Sequence, residues 1–166
     1  MTNKNNFDVP QRLRQSVAMH YPQLLEIAEA QYQQFPAPGK WSALQIMGHL
    51  VDSAANNHQR FVRAQFQDNL VFPGYQQEEW VSLQAWQQAD WKEVIDLWRL
   101  YNLHLARVIE RIPVAVLFKE HTVHALDRIA WKTVPADVPV HLAYFIDDYL
   151  GHMDNHLKQV LLQTKA

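Results

Sequence analysis

The chain has 166 residues, 48% of them hydrophobic and 19% charged, which predicts one soluble globular domain spanning residues 1–166. The formal net charge is −2 and Lys and Arg are scattered, so we expect no nucleic-acid partner. The absence of cysteine excludes disulfides and protein thiolate ligands. No apolar run approaches ~20 residues and no signal peptide is visible, so we expect a cytoplasmic protein without a membrane partner.

The first predicted element is a long helix over residues 10–34, where apolar residues recur at helical spacing. Pro22 interrupts this stretch, so we expect a kink there. A cluster of helix breakers at residues 35–40 predicts the end of the helix.

A second helix is predicted to follow at once. Ser42 is the expected N-cap, with Gln45 at the capping-box position three residues later. An apolar stripe continues to about Phe66, where we expect the helix to end. Turn-forming residues then predict a long connection over residues 67–81.

The second half of the chain predicts two further helices. One begins near Ser82 or Asp90, with Asp90 a good N-cap and Glu93 at the capping-box position, and ends at Pro113. Residues 114–139 show no clean period, which predicts irregular structure with a short turn or strand. A last helix is predicted over residues 139–163. Four long helices with two long connections predict an all-α four-helix bundle that is not simply up-and-down.

Three histidines are candidate metal ligands. His152 and His156 are four residues apart, so they lie one turn apart on one helix face and can chelate one ion. Taken alone, this pair also fits a solvated helix face. His49 lies in an apolar stretch beside Gly48, which permits close approach of another helix, although a hydrogen-bonded core histidine fits the same neighbours. If the two helices pack together, three imidazoles converge and leave a metal with open coordination positions, as in catalytic sites.

A polar stripe continues along the second helix from His49. Asp52 or Ser53, Asn56 and Arg60 follow it, and Arg60 lies within roughly 20° of His49 on the helical wheel. Such a stripe predicts the wall of a cavity. Asn56 and Arg60 are therefore candidate substrate-binding residues, and Arg60 suits an anionic group because a guanidinium grips a carboxylate in bidentate fashion. The alternative for Arg60 is a salt bridge across the bundle.

Two carboxylates are candidates for orienting the ligand rings, since such carboxylates are expected near metal-binding histidines. Asp148 lies four residues before His152 and is placed to reach its second ring nitrogen or an entering substrate. Asp52 lies one turn after His49. The alternative for Asp148 is a solvent-facing acid. The sequence identifies no catalytic side chain beyond these candidates.

Several blocks of the sequence resemble the DinB-like superfamily. They lie around His49, in the third predicted helix, and around His152 and His156. The blocks are residues 40–53, 56–61, 91–98, 109–113 and 145–159. The resemblance covers nearly the whole chain and keeps the family's order and spacing.

The resemblance implies a four-helix bundle with long crossover connections in up-down-down-up order, and a homodimer. It implies a divalent metal, zinc or nickel, held by His49, His152 and His156. Family members include thiol-dependent S-transferases and proposed metal hydrolases. Such an ion would lower the pKa of a water or a thiol cosubstrate and so create a nucleophile at neutral pH.

The expected function is therefore that of a metal-dependent hydrolase or a thiol S-transferase. The substrate would be a small molecule, and a low-molecular-weight thiol would be the cosubstrate of a transferase. The alternative is a non-catalytic metal-binding bundle with a role in stress response. The sequence does not choose between these functions.

Overall fold

The structure is a computed structural model and describes residues 7–165. Its elements, in chain order, are α1 (Val9–Leu25), α2 (Glu29–Tyr32), α3 (Ala43–Arg63), α4 (Gln77–Leu83), a 3-10 turn (Trp86–Gln88), α5 (Trp91–Glu110), α6 (Val114–Leu117), β1 (Glu120–His121), α7 (Leu126–Ile129), β2 (Val140–His141) and α8 (Leu142–Gln163). The two strands pair antiparallel, with Glu120 opposite His141. The four long helices α1, α3, α5 and α8 form a bundle, as predicted.

The neighbours in the bundle follow from the helix contacts. Helix α1 packs against α5 and α8, and α3 packs against the same two helices. Arg14 near the start of α1 pairs with Glu110 at the end of α5, at 2.7 Å, so these two helices are antiparallel. Arg12 on α1 pairs with Asp147 near the start of α8, at 2.8 Å, so those two helices are parallel.

The direction of α3 completes the topology. Phe61 near its end contacts Phe145 near the start of α8, and His49 near its start contacts His152 further along α8. Helices α3 and α8 are therefore antiparallel, which makes α3 and α5 parallel neighbours. This is the predicted up-down-down-up order, and it requires the chain to cross the length of the bundle between α3 and α5. We call residues 64–90 the crossover.

Side-chain caps fix the starts of α3 and α5. Ser42 Oγ accepts from the backbone N–H of Gln45 at 3.2 Å, and Gln45 Oε1 accepts from the N–H of Ser42 at 3.2 Å. Asp90 Oδ1 accepts from the N–H of Glu93 at 2.9 Å. These bonds satisfy N–H groups that would otherwise lack partners in the first helical turn. Both caps were predicted from the sequence and are confirmed.

Three predicted helix boundaries are wrong. Helix α1 ends at Leu25, because the next N–H groups, those of Glu26 and Ile27, bond to carbonyl oxygens three residues back instead of four. Helix α2 holds only part of the remaining predicted stretch. Helix α3 ends at Arg63 rather than Phe66. The last helix begins at Leu142 rather than at Pro139, because Val140 and His141 pair with β1.

The two irregular regions contain short elements. The connection predicted over residues 67–81 includes the start of α4, and residues 114–139 include α6, β1 and α7. Large, fully buried side chains such as Phe61, Trp98 and Phe145 fill the core of the bundle. Within residues 7–165, no helix is both long and apolar enough to cross a bilayer. The single domain over residues 1–166 stays a prediction, and residues 1–6 and 166 lie outside the described part.

Candidate metal centre

The three predicted ligand histidines meet between α3 and α8. One ring nitrogen from each of His49, His152 and His156 lies within 4.8 Å of the other two. The Nε2 atoms of His49 and His152 are 3.3 Å apart. Two imidazole nitrogens on one tetrahedral ion, at about 2.1 Å each, would be about 3.4 Å apart. The cluster therefore has the donor type and spacing of a divalent-metal site with open coordination positions.

Burial keeps these imidazoles in the form that binds metal. It lowers the pKa of His49 and of His152 to about 3, with a further lowering from the positive charge of His156. Burial also lowers the pKa of His156. All three rings are therefore neutral at pH 7 and offer a lone pair. His156 Nδ1 lies 3.2 Å from Gln159 Oε1, so Nδ1–H donates to the amide and Nε2 is left for an ion.

A glycine precedes two of the ligand histidines, and each glycine faces an indole ring. A Cβ atom on Gly48 would lie 2.2 Å from Cγ of Trp86, and one on Gly151 would lie 3.1 Å from a ring carbon of Trp131. The close approach predicted at Gly48 is therefore real, but the neighbour is an indole from the crossover and not another helix. Only glycine leaves room for Trp86 at this position.

Asp52 binds the crossover rather than a ligand ring. It is 2% exposed, and its two carboxylate oxygens accept from Gln84 Nε2 at 2.8 Å and from Trp86 Nε1 at 3.1 Å. Among residues 7–165, His49 Nδ1 has no hydrogen-bond partner. The expectation that Asp52 orients His49 by a direct bond is therefore not met. Asp52 instead holds the crossover against α3, next to the glycine that admits Trp86.

Asp148 binds the loop that follows α7. Its two oxygens accept from the backbone N–H groups of Trp131 and Lys132, each at 2.8 Å. No hydrogen bond joins Asp148 to His152 in the described part of the chain, so its predicted bond to this ring is not met. The side chain does line the cavity beside the histidines. It therefore fixes one wall of that cavity and is in reach of a bound molecule.

A cavity of about 230 Å³ opens next to His152 and His156. It is smaller than the ~300–1,000 Å³ of sites that hold drug-sized ligands, so it suits a small molecule. Side chains from four segments line it. Helix α3 contributes Ser53, Asn57 and Arg60, the crossover contributes Tyr75 and Gln77, α8 contributes Phe145, Asp148 and Tyr149, and residues 128–131 close one side.

The cavity wall differs from the predicted polar stripe by one position. Asn57 lines the cavity, whereas Asn56 does not and instead donates to the backbone oxygen of Asp52 at 2.9 Å. The cavity faces one side of α3. Measured around the helix from His49, Ser53 and Asn57 lie roughly 40° and 80° toward that side, whereas Asn56 lies roughly 20° toward the other. Tyr75 was not predicted, because it lies in a connection without a periodic signal.

Arg60 reaches the cavity as an almost fully buried cation with 6% exposure. It donates to the Pro73 backbone oxygen at 2.9 Å and to Asn57 Oδ1 at 3.4 Å, and its guanidinium lies 5.8 Å from the centre of the Phe145 ring. Burial lowers its pKa. The salt bridge considered as its alternative role is absent among residues 7–165.

Comparisons with known proteins agree with this geometry. The sequence matches the model of the DinB superfamily over residues 12–160. Among solved structures, the fold is similar to YfiT from Bacillus subtilis, with a TM-score of 0.78 and 17% identity over 98% of this chain and 88% of that chain. YfiT is described as a probable metal-dependent hydrolase with an unusual four-helix bundle topology. No functionally curated protein matches the sequence.

Proposed function

Because the chain belongs to the DinB superfamily, we propose that it is a metal-dependent hydrolase in which His49, His152 and His156 hold a divalent ion, zinc or nickel. The observation that carries the proposal is the convergence of three neutral ring nitrogens beside a cavity with a buried cation. The description of YfiT as a probable metal-dependent hydrolase supports the same reaction class.

In such a reaction, the residues around the site would have separate roles. A divalent ion with open coordination positions supplies Lewis-acid activation of a water or a thiol. The three histidines present lone pairs without needing to lose a proton at neutral pH, because burial keeps them neutral. Trp131 lines the cavity beside His152, with ring centres 6.3 Å apart.

The proposed substrate is a small molecule held by the cavity wall. Arg60 and Asp148 both line the cavity, which supports the direct substrate contacts predicted for them. Asn56 does not line it, so we assign the role predicted for Asn56 to Asn57, which does. Asp52 acts on the site through the crossover, because its bonds go to Gln84 and Trp86.

Metal analysis tests the site. Protein purified from cells and then exchanged with Zn²⁺ or Ni²⁺ should hold about one ion per chain, since three histidines form one open site. His49→Ala and His152→Ala should lose that ion. His58→Ala, on the same helix as His49, is the matched control and should keep it. The site assignment is wrong if the wild-type chain binds neither metal or if His49→Ala binds as well as the wild type.

A reaction screen separates the two kinds of enzyme. The metal-loaded protein should hydrolyse members of a panel of small esters and amides, and His152→Ala should not. Turnover that needs both a low-molecular-weight thiol and an electrophile would instead identify the S-transferase. If the protein binds metal but turns over neither the esters and amides nor the thiol with an electrophile, it would be a non-catalytic metal-binding bundle with a role in stress response.

Two further expectations belong with this proposal. The homodimer implied by the family resemblance is tested by sedimentation of the metal-loaded protein at several concentrations. The cytoplasmic location is tested by cell fractionation. Neither affects the assignment of the three metal ligands.

A further inference from the structure

Arg60 places an uncompensated positive charge in the wall of the cavity. The side chain is more than nine-tenths buried, yet no carboxylate in residues 7–165 forms an ion pair with it. A guanidinium has five N–H donors, and only two bonds to protein oxygens, from Pro73 and Asn57, are present. A buried charge without a partner is costly, which favours a bound anion at this position.

The nearby carboxylates are committed to other groups. Both oxygens of Asp52 accept bonds from the crossover side chains Gln84 and Trp86. Both oxygens of Asp148 accept backbone N–H bonds from the loop after α7. Neither acid is free to turn toward Arg60 without leaving buried donors unsatisfied. Within residues 7–165, neither of these acids is therefore available as the counter-ion of Arg60, which leaves the position open to a bound anion.

Neutral hydrogen-bonding groups surround the same position. Tyr75 and Ser53 line the cavity with Arg60. The phenol of a tyrosine has an ordinary pKa of about 10. The phenol therefore keeps its proton at neutral pH and is able to donate to an acceptor. One cation with a neutral donor beside it matches a singly charged anion.

We infer that Arg60 and Tyr75 form a carboxylate subsite, so that the substrate is a small carboxylic acid whose scissile bond lies toward the histidines. This inference rests on the proposed function for the location of the reacting bond. The planar guanidinium fork fits the two oxygens of a carboxylate. Phosphate carries more charge than this single cation offsets, and the cavity of about 230 Å³ favours a short carbon chain.

Binding of propionate tests the subsite in both metal-free and zinc-loaded protein. Propionate should perturb the NMR signals of cavity residues in both forms, whereas propionamide of the same shape should not. Arg60→Gln should weaken propionate binding by at least tenfold, since an ion pair is lost, and Arg60→Lys should restore part of it. Arg63→Gln, an exposed change on the same helix, is the control and should bind as the wild type does.

Tyr75→Phe keeps the buried cation in place and is the second test variant if Arg60→Gln folds poorly. It should weaken propionate binding several-fold while metal content stays unchanged. The inference is overturned if propionamide binds as well as propionate, if inorganic phosphate binds in preference, or if both substitutions leave propionate binding unchanged. Propionate binding to the metal-free protein does not depend on the ion. The carboxylate subsite can therefore be confirmed even if the protein binds no metal, and it can fail even if the protein does.

Discussion

Gly48 fixes the distance between the metal-binding helix and the crossover. Alanine would normally stabilise a helix interior by about 1 kcal/mol relative to glycine. Here the added Cβ would lie 2.2 Å from the ring of Trp86, which is held by its bond to Asp52. We predict that Gly48→Ala lowers the free energy of unfolding by about 1–3 kcal/mol, the usual range for overpacking. Urea unfolding followed by circular dichroism measures this change.

The second glycine provides the matched comparison. A Cβ on Gly151 would lie 3.1 Å from the ring of Trp131, which is 42% exposed and has room to move. Gly151→Ala should therefore have little effect on stability. Adding Trp86→Ala to Gly48→Ala should remove the clash and reduce the cost of the alanine. Equal effects of the two glycine substitutions would show that Trp86 is not the cause.

His58 lies on the other face of α3 and gives the protein a pH-dependent stability. Its ring centre is 5.0 Å from that of His104 on α5, and its Nδ1 is 3.2 Å from the Tyr101 hydroxyl. Burial, followed by repulsion from His104, lowers the pKa of His58. The unfolded chain therefore binds more protons than the folded chain below the unfolded pKa of about 6.5. Stability due to His58 is complete above that pH and is lost as the pH falls from there through the lower pKa of the folded state.

Unfolding of the wild type and of His58→Gln at a series of pH values measures this effect. We predict that the wild type loses more stability than His58→Gln between pH 7.5 and 5.5, because glutamine does not titrate. His104→Gln removes the smaller of the two causes, so it should reduce the difference without abolishing it. Parallel pH profiles for the wild type and His58→Gln would contradict the prediction.

The three-histidine cluster could be predicted from the sequence, but most of the cavity could not. An i, i+4 histidine pair is visible in any helical sequence, and the apolar surroundings of His49 mark it as buried. The contacts of Asp52 and the presence of Tyr75 depend on the path of the crossover, which has no periodic pattern. The contacts of Asp148 could not be predicted either, because its partners are backbone N–H groups of a loop without a periodic pattern.

At the scale of elements, the loop after α7 depends on one side chain of α8. Both oxygens of Asp148 bind backbone N–H groups in this loop. We predict that Asp148→Asn loosens the loop, because the amide nitrogen would face an N–H donor, and that amide hydrogen exchange at Trp131 and Lys132 becomes faster. Metal content should stay unchanged, since no bond joins Asp148 to His152.

Tyr144→Phe is the control for this loop. It removes the hydrogen bond of 2.8 Å to the Lys132 carbonyl oxygen but leaves both N–H groups bound to Asp148. Exchange at Trp131 and Lys132 should therefore change less than in Asp148→Asn. If Asp148→Asn instead abolished metal binding without affecting exchange, the carboxylate would act on the histidines and not on the loop.

The starts of α3 and α5 were predictable because a capping side chain marks each of them. Ser42 and Asp90 cap their helices with local bonds, and such bonds depend only on residues three positions apart. The short elements were not predictable, since α2, α6 and α7 have only four residues each and show no period. The start of α8 was misplaced for a related reason. Its preceding residues pair with a strand about twenty positions earlier, which no local pattern reveals.

At the scale of the whole molecule, the three-histidine cluster joins the two halves of the chain. His49 belongs to the first half, and His152 and His156 belong to the last helix. Helices α3 and α8 are neighbours in the bundle and are separated in sequence by the crossover, α5 and the irregular region. An ion bound by all three histidines therefore binds the folded state and has no equivalent site in the unfolded chain.

We predict that a divalent ion raises the melting temperature of the metal-free protein. A ligand at one hundred times its Kd stabilises the fold by about 2.7 kcal/mol. For a chain of this length each kcal/mol corresponds to roughly 2–4 °C, so the rise should be about 5–11 °C. Differential scanning calorimetry with and without Zn²⁺ measures it. His49→Ala should abolish the rise and His58→Ala should retain it, because only His49 faces the ligand pair on α8. An equal rise in His49→Ala would show that zinc stabilises the protein from another site.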